Sequence, residues 1–268
     1  MRSQGKSGTK VGERTRLKRI LRGLERRYGK IEPPPKRKGL PLIVATILSQ
    51  NTTDLTAIRA YEALLERFPP ARRSRPRRNL PRDSDGRIDK IKIRMVHVAD
   101  ARGEPNWRAI EKAPLSVVRN CLRVCGLAET KTRALRSLLK ALRKETGGYS
   151  LERFLAGCDT DQALDKLSAL PGIGVKTAAV TLAEGFGADL CPVDTHVHRV
   201  SGRLGVVSPS GGRNGTFREL RKILPPGTAH AFHHLFLSHG RAVCTARRPK
   251  CDSCPIRPDC ERRGLEEV

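Results

Sequence analysis

Four cysteines near the end of the chain are spaced closely enough to bind one metal centre. Cys244, Cys251, Cys254 and Cys260 are separated by six, two and five residues. Thiolates bind zinc and iron–sulfur clusters, and zinc sites usually contain two Cys-x-x-Cys pairs where this run has one, so spacing alone leaves both open. Ligand spacing is absent from the other four cysteines, which we expect to be small buried side chains: Cys121, Cys125, Cys158 and Cys191.

A second candidate for chemistry is Lys176, which follows a glycine turn in the segment 170–178, Leu-Pro-Gly-Ile-Gly-Val-Lys-Thr-Ala. The chain has 53 Lys and Arg residues, most of which must be solvated charges, so position alone distinguishes this one. In the first turn of a helix the dipole disfavours an ammonium, and desolvation would further favour the neutral amine. A neutral amine is a nucleophile that can form a Schiff base.

The turn before Lys176 contains Gly172 and Gly174, which permit a tight bend and the close approach of another backbone. The backbone amides of residues 174–176, Val175 among them, open the next helix and can cradle a phosphate without reading a base. A helix–turn–helix joint that only packs is the alternative. The high positive charge of the chain favours phosphate binding.

Asp194 follows Lys176 by eighteen residues and stands before a helical pattern. An Asp in this position is a natural N-cap, and that structural role alone would account for it. A capped carboxylate is held ionised and rigid, so it could also stabilise positive charge that develops on a sugar. His196 and His198 face different sides of the same helix, so packing or phosphate contact is favoured over a metal pair.

Composition points to a polyanionic partner. The formal net charge is +26 and the sequence pI is near 10.7, which favours phosphate contacts with counterion release over the alternative of an unusually charged soluble protein. Aromatic residues make up only 4%, too few for the stacking platforms of a single-strand binder, so duplex DNA is the expected form.

No apolar run is long enough to span a membrane and the N-terminus lacks a secretory core, so we expect a cytoplasmic or nucleoid location. Clustered cysteines there favour metal over disulfides.

Apolar residues recur at helical spacing through most of the chain, which predicts an all-α protein. The predicted helical segments are 15–28, 42–48, 57–68, 115–124, 131–146, 161–170, 175–183, 194–204, 215–224 and 228–239. Residues 70–106 break the pattern, because an Arg/Pro-rich linker precedes the alternation of apolar and polar residues over 88–98. This predicts an insertion with one or two short strands, whose arginines either contact DNA or belong to a solvated loop. Residues 1–12 are expected to be a flexible basic tail.

Taken together, these motifs resemble endonuclease III, a family of helix-hairpin-helix DNA glycosylases. The resemblance rests on the hairpin at 170–178, Val-Asp-Thr-His at 193–196, His-His-Leu-Phe-Leu-Ser-His-Gly-Arg at 233–241 and the four cysteines, and it covers about 36–68 and 110–262. It implies an all-α fold of two domains with a DNA cleft between them. Residues 1–31 with 189–268 would form an iron–sulfur domain, and residues 32–188 a helical barrel that carries the hairpin.

The same resemblance implies a role for each candidate residue. Lys176 would be the nucleophile and Asp194 its catalytic partner. The cysteines Cys244, Cys251, Cys254 and Cys260 would bind a [4Fe–4S] cluster that fixes a basic loop against the phosphates. Gln50 would fill the hole left by an extruded base, and Leu127 would be a wedge beside the orphaned base, with a core leucine as its alternative. The full set of expected DNA contacts is Gln50, Leu127, Lys131, Gly172, Gly174, Val175, His196, Arg247, Arg248 and Lys250.

The implied activity is that of a bifunctional DNA glycosylase and AP lyase acting as a monomer in base excision repair. It would remove oxidised pyrimidines from duplex DNA and nick the abasic site by β-elimination. An adenine glycosylase would need a carboxylic acid on the helix before Gln50, and no Asp or Glu occurs between Pro41 and Thr53. A thymine or uracil mismatch glycosylase and a noncatalytic DNA-binding protein stay open as alternatives.

Overall fold

The computed structural model describes residues 6–33, 39–70 and 103–265, and these residues contain helices and no β-strand. They divide into two compact units, Met1–Pro34 with Gly187–Val268, and Pro35–Phe186. We call the first the cysteine unit and the second the hairpin unit. The all-α expectation is confirmed, while the strands predicted within 70–106 fall on residues 71–102, outside the described residues.

The helices of the hairpin unit are α2 Gly39–Leu48, α3 Asp54–Arg67, α4 Trp107–Lys112, α5 Leu115–Leu122, α6 Ala128–Thr146, α7 Leu151–Phe154, α8 Thr160–Ser168 and α9 Val175–Phe186. Those of the cysteine unit are α1 Lys6–Tyr28, α10 Thr195–Leu204, α11 Gly212–Ile223 and α12 Ala229–Ala242. Short 3-10 turns occupy Arg123–Cys125, Pro209–Gly211, Cys251–Ser253 and Arg257–Asp259.

The hairpin unit is built around α2, all of whose residues are buried. Its neighbours include α9, and α6, whose leucines at 135, 138, 139 and 142 recur at helical spacing and are fully buried. Each fully buried leucine contributes about 1.5–3 kcal/mol relative to an exposed one, so this apolar stripe is what fixes α6 in the unit. The structure therefore seats both the hairpin helix α9 and the long helix α6 on one buried helix.

The helix α8 leads into the hairpin and has a well-defined start. Asp159 accepts hydrogen bonds from the amides of Asp161 and Gln162, and the Gln162 side chain bonds back to the Asp159 amide, forming a capping box. Such a cap contributes about 1 kcal/mol. It fixes where α8 begins and therefore where the following turn, 169–174, can lie.

In the cysteine unit, the N-terminal helix packs on the C-terminal segment. Arg16 donates to the Asp259 carbonyl oxygen at 2.7 and 3.1 Å, and Arg19 donates to the Asp259 carboxylate at 2.6 Å. A Cβ on Gly23 would lie 2.9 Å from the Ile256 side chain, so α1 lies tight against the segment between two of the cysteines. These contacts explain why the two ends of the chain form one unit.

Two hydrogen bonds join the residues on either side of the segment 71–102. The Asn106 amide donates to the Phe68 carbonyl at 2.9 Å, and the Tyr61 hydroxyl donates to the Gly103 carbonyl at 2.9 Å. Phe68 and Gly103, on either side of residues 71–102, are thus both held beside α3.

Several helix boundaries differ from expectation. The first helix begins at Lys6, within the segment 1–12 expected to be a flexible tail, and it runs without a proline into the packed stretch 17–24. The helix at Trp107–Lys112 was not predicted, since six residues are too few for a periodic signal. Its start is set by Asn106, whose side chain accepts from the Ala109 amide at 3.0 Å.

Candidate functional site

The glycine turn packs directly on α6. Gly172 has φ +79, and a Cβ built there would lie 2.5 Å from the Cβ of Ala134. Both the backbone angle and the contact therefore require glycine at this position. Gly174 has no such constraint, because a Cβ there would meet no atom within 4 Å. The first glycine seats the turn and the second leaves open space in front of the helix.

The open space faces the start of α9, which begins at Val175 as expected. Within the described residues, no hydrogen bond reaches the backbone amides of Gly174, Val175 or Lys176. Gly174 and the Lys176 side chain are exposed to solvent. Unpaired amides at the N-terminus of a helix form an anion site in which a phosphate oxygen can replace water.

Gln50 connects its own loop to the hairpin. Its amide Nε2 donates to the Gly172 carbonyl at 3.1 Å and to the Thr177 hydroxyl at 3.0 Å. Thr177 is buried one position after Lys176. The structure thus brings the α2–α3 loop, the glycine turn and the first turn of α9 into direct contact.

Leu127 lies on the surface and has an unusual backbone conformation. Its side chain is 54% exposed, which rules out the alternative of a core leucine. Its φ is +50, and Gly126 before it has φ +66. A left-handed conformation costs a non-glycine residue about 1–2 kcal/mol, and strain of this kind clusters at functional positions.

The prediction that Lys131 contacts DNA is wrong. Its side chain is 1% exposed, and Nζ donates to the Leu48 carbonyl at 2.8 Å and the Cys125 carbonyl at 2.7 Å. Burial lowers the pKa of this amine, while the neighbouring Cys125 thiol acts in the opposite direction. The ammonium is occupied inside the hairpin unit and cannot reach a phosphate.

Asp194 is the N-cap of α10. Its Oδ1 accepts from the His196 amide at 2.9 Å and from the Val197 amide at 2.8 Å. Within the described parts of the chain no hydrogen bond reaches Oδ2. One carboxylate oxygen therefore fixes the side chain, and the other is available for chemistry.

Two arginines one turn apart fasten the helix that Asp194 caps to residues 244–251, which we call the cysteine loop. Arg199 donates to the Cys244 carbonyl at 3.0 and 3.1 Å and to the Gly240 carbonyl at 2.9 Å. Arg203 donates to the carbonyls of Thr245 at 2.6 Å and Ala246 at 2.7 Å. Hydrogen bonds from charged donors are about twice as strong as neutral ones, so the two arginines hold the loop firmly against α10.

His196 and His198 have protein partners of their own. Arg199 donates to His196 Nδ1 at 3.1 Å, and His198 Nδ1 lies 2.8 Å from the buried Thr216 hydroxyl. Both rings are partly exposed. His198 thus serves packing within the cysteine unit, while His196 lies beside the bonds that hold the loop.

The four closely spaced cysteines face one another. All four line one cavity with apolar neighbours such as Val243 and Ile256, and no disulfide joins any of the eight cysteines. Burial raises the pKa of the Cys254 and Cys260 thiols, and the charge of the other cysteine sulfurs raises it further. Thiolates so placed repel one another unless a cation lies between them, so the donor set fits a metal centre.

A buried histidine completes the surroundings of the cysteines. His239 Nε2 lies 3.5 Å from Cys254 Sγ, and the Tyr28 hydroxyl lies 3.1 Å from His239 Nδ1. Burial lowers the pKa of His239 to about 4, so the ring is neutral at neutral pH. The geometry suits a ring that accepts from Tyr28 and donates to the sulfur, an outer-shell arrangement common at metal sites.

The loop between Cys244 and Cys251 presents positive charge to solvent. Arg247, Arg248 and Lys250 are all exposed. The Lys250 amide donates to the Val243 carbonyl at 3.0 Å, and the Thr245 hydroxyl donates to the Arg248 carbonyl at 2.6 Å. The backbone is thus fixed while the charged side chains remain available.

Comparison with known proteins identifies the family. Residues 44–226, about two thirds of the chain, match the model of the HhH-GPD superfamily base excision DNA repair proteins. Residues 244–260 match the iron-sulfur binding domain of endonuclease III. The chain is 35% identical over 156 residues to endonuclease III of Thermotoga maritima, covering 53% of this chain and 71% of that protein. The chain belongs to the endonuclease III family.

Two further likenesses extend over most of the chain. Endonuclease III of Sulfolobus acidocaldarius is 28% identical over 219 residues, or 82% of this chain and 80% of that protein. A solved non-covalent endonuclease III–DNA complex matches with a TM-score of 0.67 and 24% identity, covering 93% of this chain and 95% of that one. At that identity the structural match shows the fold, which is the helix-hairpin-helix glycosylase fold of the endonuclease III family.

Membership of the endonuclease III family makes the chain a DNA glycosylase of base excision repair with an iron–sulfur binding domain at its C-terminus. The predicted [4Fe–4S] cofactor and the family resemblance are therefore confirmed. Among the described helices, none combines the length and apolar character needed to cross a bilayer.

Three residues that position the site were missed by sequence reasoning or assigned another role. Arg199 and Arg203 hold the cysteine loop, and Lys131 holds two backbone carbonyls. Their four-residue spacing on α10 places the two arginines on one face, but many pairs among 53 basic residues share that spacing. No local signal separates a lysine that is buried from one that meets a phosphate.

The other four cysteines only partly match the expectation of burial. Cys125 and Cys191 are buried, but Cys121 and Cys158 are only half-buried.

Proposed function

We propose that this glycosylase is bifunctional, removing oxidised pyrimidines from duplex DNA and then nicking the abasic site as an AP lyase. The observation that carries the proposal is the exposed Lys176 amine in the first turn of α9, beside backbone amides that have no partner among the described residues. An amine beside a phosphate-binding turn would lie near the DNA backbone that the turn holds. Because the free side chain is exposed, its desolvation would come from the bound DNA.

The reaction uses Lys176 as nucleophile on an extruded nucleotide. Its neutral amine attacks C1′ of the sugar, the bond from C1′ to the base breaks, and the base leaves with its bonding electrons and takes up a proton. Ring opening gives a Schiff base between Nζ and C1′. Loss of a proton from C2′ then expels the 3′ phosphate, which nicks the strand by β-elimination.

Asp194 is proposed as the catalytic partner. Its Oδ1 is fixed by the amides of His196 and Val197, which leaves Oδ2 to stabilise positive charge on the sugar as the base departs. The same oxygen could assist proton transfer in the lyase step. An N-cap carboxylate suits this work because the backbone amides hold it in one position.

The DNA contacts are proposed to be mostly sequence-independent. Gly172, Gly174, Val175 and the exposed basic loop would hold phosphates, and His196 lies close to that loop. Gln50 would fill the space left by the extruded base, and Leu127 would wedge beside the orphaned base. The partner is duplex DNA with a damaged base or an abasic site, met by a monomer in the cytoplasm where the chromosome lies.

The cluster ligands are proposed to be Cys244, Cys251, Cys254 and Cys260. When bound, the cluster supplies a cationic iron core that holds four thiolates together. The residues of the chain then do the rest, since Arg199 and Arg203 tie α10 to the loop and the loop presents its charges to the phosphates. We assign the cluster a structural role in this arrangement.

Borohydride trapping tests the proposal. Purified protein on abasic duplex should yield a covalent protein–DNA adduct, which Lys176→Gln should abolish while duplex affinity changes less than about threefold. Lys140→Gln is the matched control, because Lys140 is an exposed lysine on α6. A loss of affinity as large as the loss of rate would instead make Lys176 a phosphate contact.

A panel of lesion duplexes separates the alternatives. The panel contains duplexes with thymine glycol, with uracil or thymine opposite guanine, and with a preformed abasic site. The protein should release thymine glycol fastest and should nick the abasic strand. Release of mismatched uracil or thymine without an adduct would indicate a monofunctional mismatch glycosylase. Tight binding with neither release nor adduct would indicate a noncatalytic DNA-binding protein.

A further inference from the structure

Lys131 places an ionisable amine in the interior of the hairpin unit. Only 1% of it is exposed, and Nζ donates at 2.8 Å to the carbonyl of Leu48 and at 2.7 Å to the carbonyl of Cys125. These acceptors are 77 residues apart in the chain, since 125 minus 48 is 77. One amine therefore ties together two segments that are otherwise far apart in sequence.

Both acceptors stand in the same relation to a candidate DNA contact. Leu48 ends α2 and precedes Gln50 by two residues, and Cys125 ends a 3-10 turn and precedes Leu127 by two. Each loop then enters the left-handed region, Asn51 with φ +51 and Leu127 with φ +50. A strained non-glycine backbone persists only where its surroundings hold it, and the two bonds from Lys131 fix the residues just before the strain.

The position of Lys131 runs against its ordinary preferences. A lysine is almost never fully buried without partners. Lys131 is also the fourth residue of α6, at the end of the first turn, where the helix dipole opposes a cation. The carbonyl at the C-terminal end of α2 supplies the opposite, favourable potential. A donor group is therefore needed at this point, and no apolar side chain of equal volume could bridge two carbonyls.

We propose that Lys131 is a positioning residue that sets the distance between Gln50 and Leu127, so that both enter the duplex as one rigid pair when a base is extruded. This inference rests on the proposed function, because it takes Gln50 and Leu127 as the groups that replace the extruded base. It adds an assignment for a buried lysine that touches neither the damaged nucleotide nor the phosphates.

Lys131→Met removes the donor at nearly constant volume and tests the proposal. Release of thymine glycol from duplex DNA should fall at least about tenfold. If Gln50 and Leu127 are misplaced, they no longer compensate for the free energy lost when the base is unstacked. Nicking of a preformed abasic site should fall less than about threefold, because no base has to be unstacked there. The ratio of the two rates is the readout that a general loss of folding would not change.

Leu138→Ala is the control for a purely structural effect. Leu138 is fully buried on the same helix, and its truncation should lower stability without touching either backbone bond. Rates are compared at a temperature where circular dichroism shows all variants to be folded. Leu138→Ala should leave the ratio of release to nicking at its original value.

Amide hydrogen exchange gives a second readout that does not depend on activity. In Lys131→Met the segments 49–52 and 125–128 should exchange at least about tenfold faster, and Leu138→Ala should not show this selective change. Equal losses of release and nicking, a similar change of ratio in Leu138→Ala, or unchanged exchange in the two loops would each overturn the proposal. If the unmodified protein neither releases a base nor nicks, the proposed function fails, and exchange alone decides whether Lys131 holds the loops.

Discussion

The hairpin unit and the cysteine unit each hold a loop in place, and they use different forces to do so. In the hairpin unit the turn is seated by close contact, with Gly172 against Ala134 and the amide of Gln50 bonded across it. In the cysteine unit the loop after Cys244 is held by guanidinium groups that donate to its carbonyl oxygens. One loop depends on volume and backbone angle, and the other on charge and a metal centre.

The difference predicts how each region responds to change. A turn packed against a helix tolerates no added atom, so a methyl group should disturb it. A loop rich in charged residues has little apolar area to bury, so it should depend on the group that gathers its cysteines. The following substitutions test that contrast, starting with the largest expected effect.

Cys254→Ser should have the largest effect, because it removes one of the four thiolates that line the cysteine cavity. Iron content and the visible absorbance of the cluster should be lost together, and the melting temperature should fall by roughly 10 °C or more, since cluster binding is part of the folding free energy. Iron analysis, absorbance and thermal unfolding measure these changes.

Cys121→Ser is the matched control, because Cys121 is half-buried and its thiol only donates to the Val117 carbonyl in α5. It should keep the cluster and most of the stability. Unchanged absorbance in Cys254→Ser would show that the ligand assignment is wrong and that the cysteine loop does not depend on this thiolate.

Gly172→Ala should have the next largest effect, because the added Cβ meets Ala134 at 2.5 Å and φ is +79. Overpacking and backbone strain together should cost about 2–4 kcal/mol in the free energy of unfolding. Gly174→Ala should cost less than about 1 kcal/mol, because a Cβ there meets nothing within 4 Å. Urea unfolding of both variants measures the difference.

When only folded protein is compared, Gly174→Ala should lose more duplex affinity than Gly172→Ala, which is the reverse of the order for stability. A methyl group at Gly174 stands in the space that the phosphate would occupy, so its affinity should fall while its stability changes little. Equal losses of stability in Gly172→Ala and Gly174→Ala would mean that the contact with Ala134 does not seat the turn.

The two regions also differ in how far the sequence predicts them. The cysteines and the hairpin glycines are local patterns, so the helix start at Val175 and the N-cap at Asp194 were predicted from a few neighbouring residues. Lys131 has no such pattern. Its burial depends on carbonyls at Leu48 and Cys125 that only the folded chain brings together, so the residue was assigned to DNA on its charge alone.

The exposure of Leu127 also could not be predicted from its neighbours in the sequence. An exposed wedge and a core leucine are the same residue type, and the 54% exposure of the folded side chain is what distinguishes them. The ends of helices were also imprecise, as for α3, which begins at Asp54 rather than 57 because the Thr53 hydroxyl accepts from the Thr56 amide. Non-local packing and cap geometry account for these differences.

Glu111→Gln should have the smallest of these effects and asks whether charge also stabilises the hairpin unit. Glu111 is 5% exposed and joins α4 to α6, accepting from Arg143 Nε at 2.8 and 2.9 Å and from the Tyr149 hydroxyl at 2.5 Å. Replacing the carboxylate should cost about 1–3 kcal/mol at pH 7, measured by urea unfolding. Glu129→Gln, which alters an exposed ion pair on α6, should cost less.

The pH dependence identifies the charge as the cause. Burial alone would raise the pKa of Glu111, but the hydrogen bonds from Arg143 and Tyr149 outweigh it and lower that pKa. A lowered pKa stabilises the fold above the unfolded value of about 4.3, and this contribution is lost as the pH falls through the folded pKa. The difference between the parent protein and Glu111→Gln should therefore be constant from about pH 6 to 8 and shrink below about pH 4. Burial and the charge of Glu111 raise the pKa of Tyr149 to about 12, so its hydroxyl stays a hydrogen-bond donor throughout this range. A difference independent of pH would place the loss in packing rather than in the charge of Glu111.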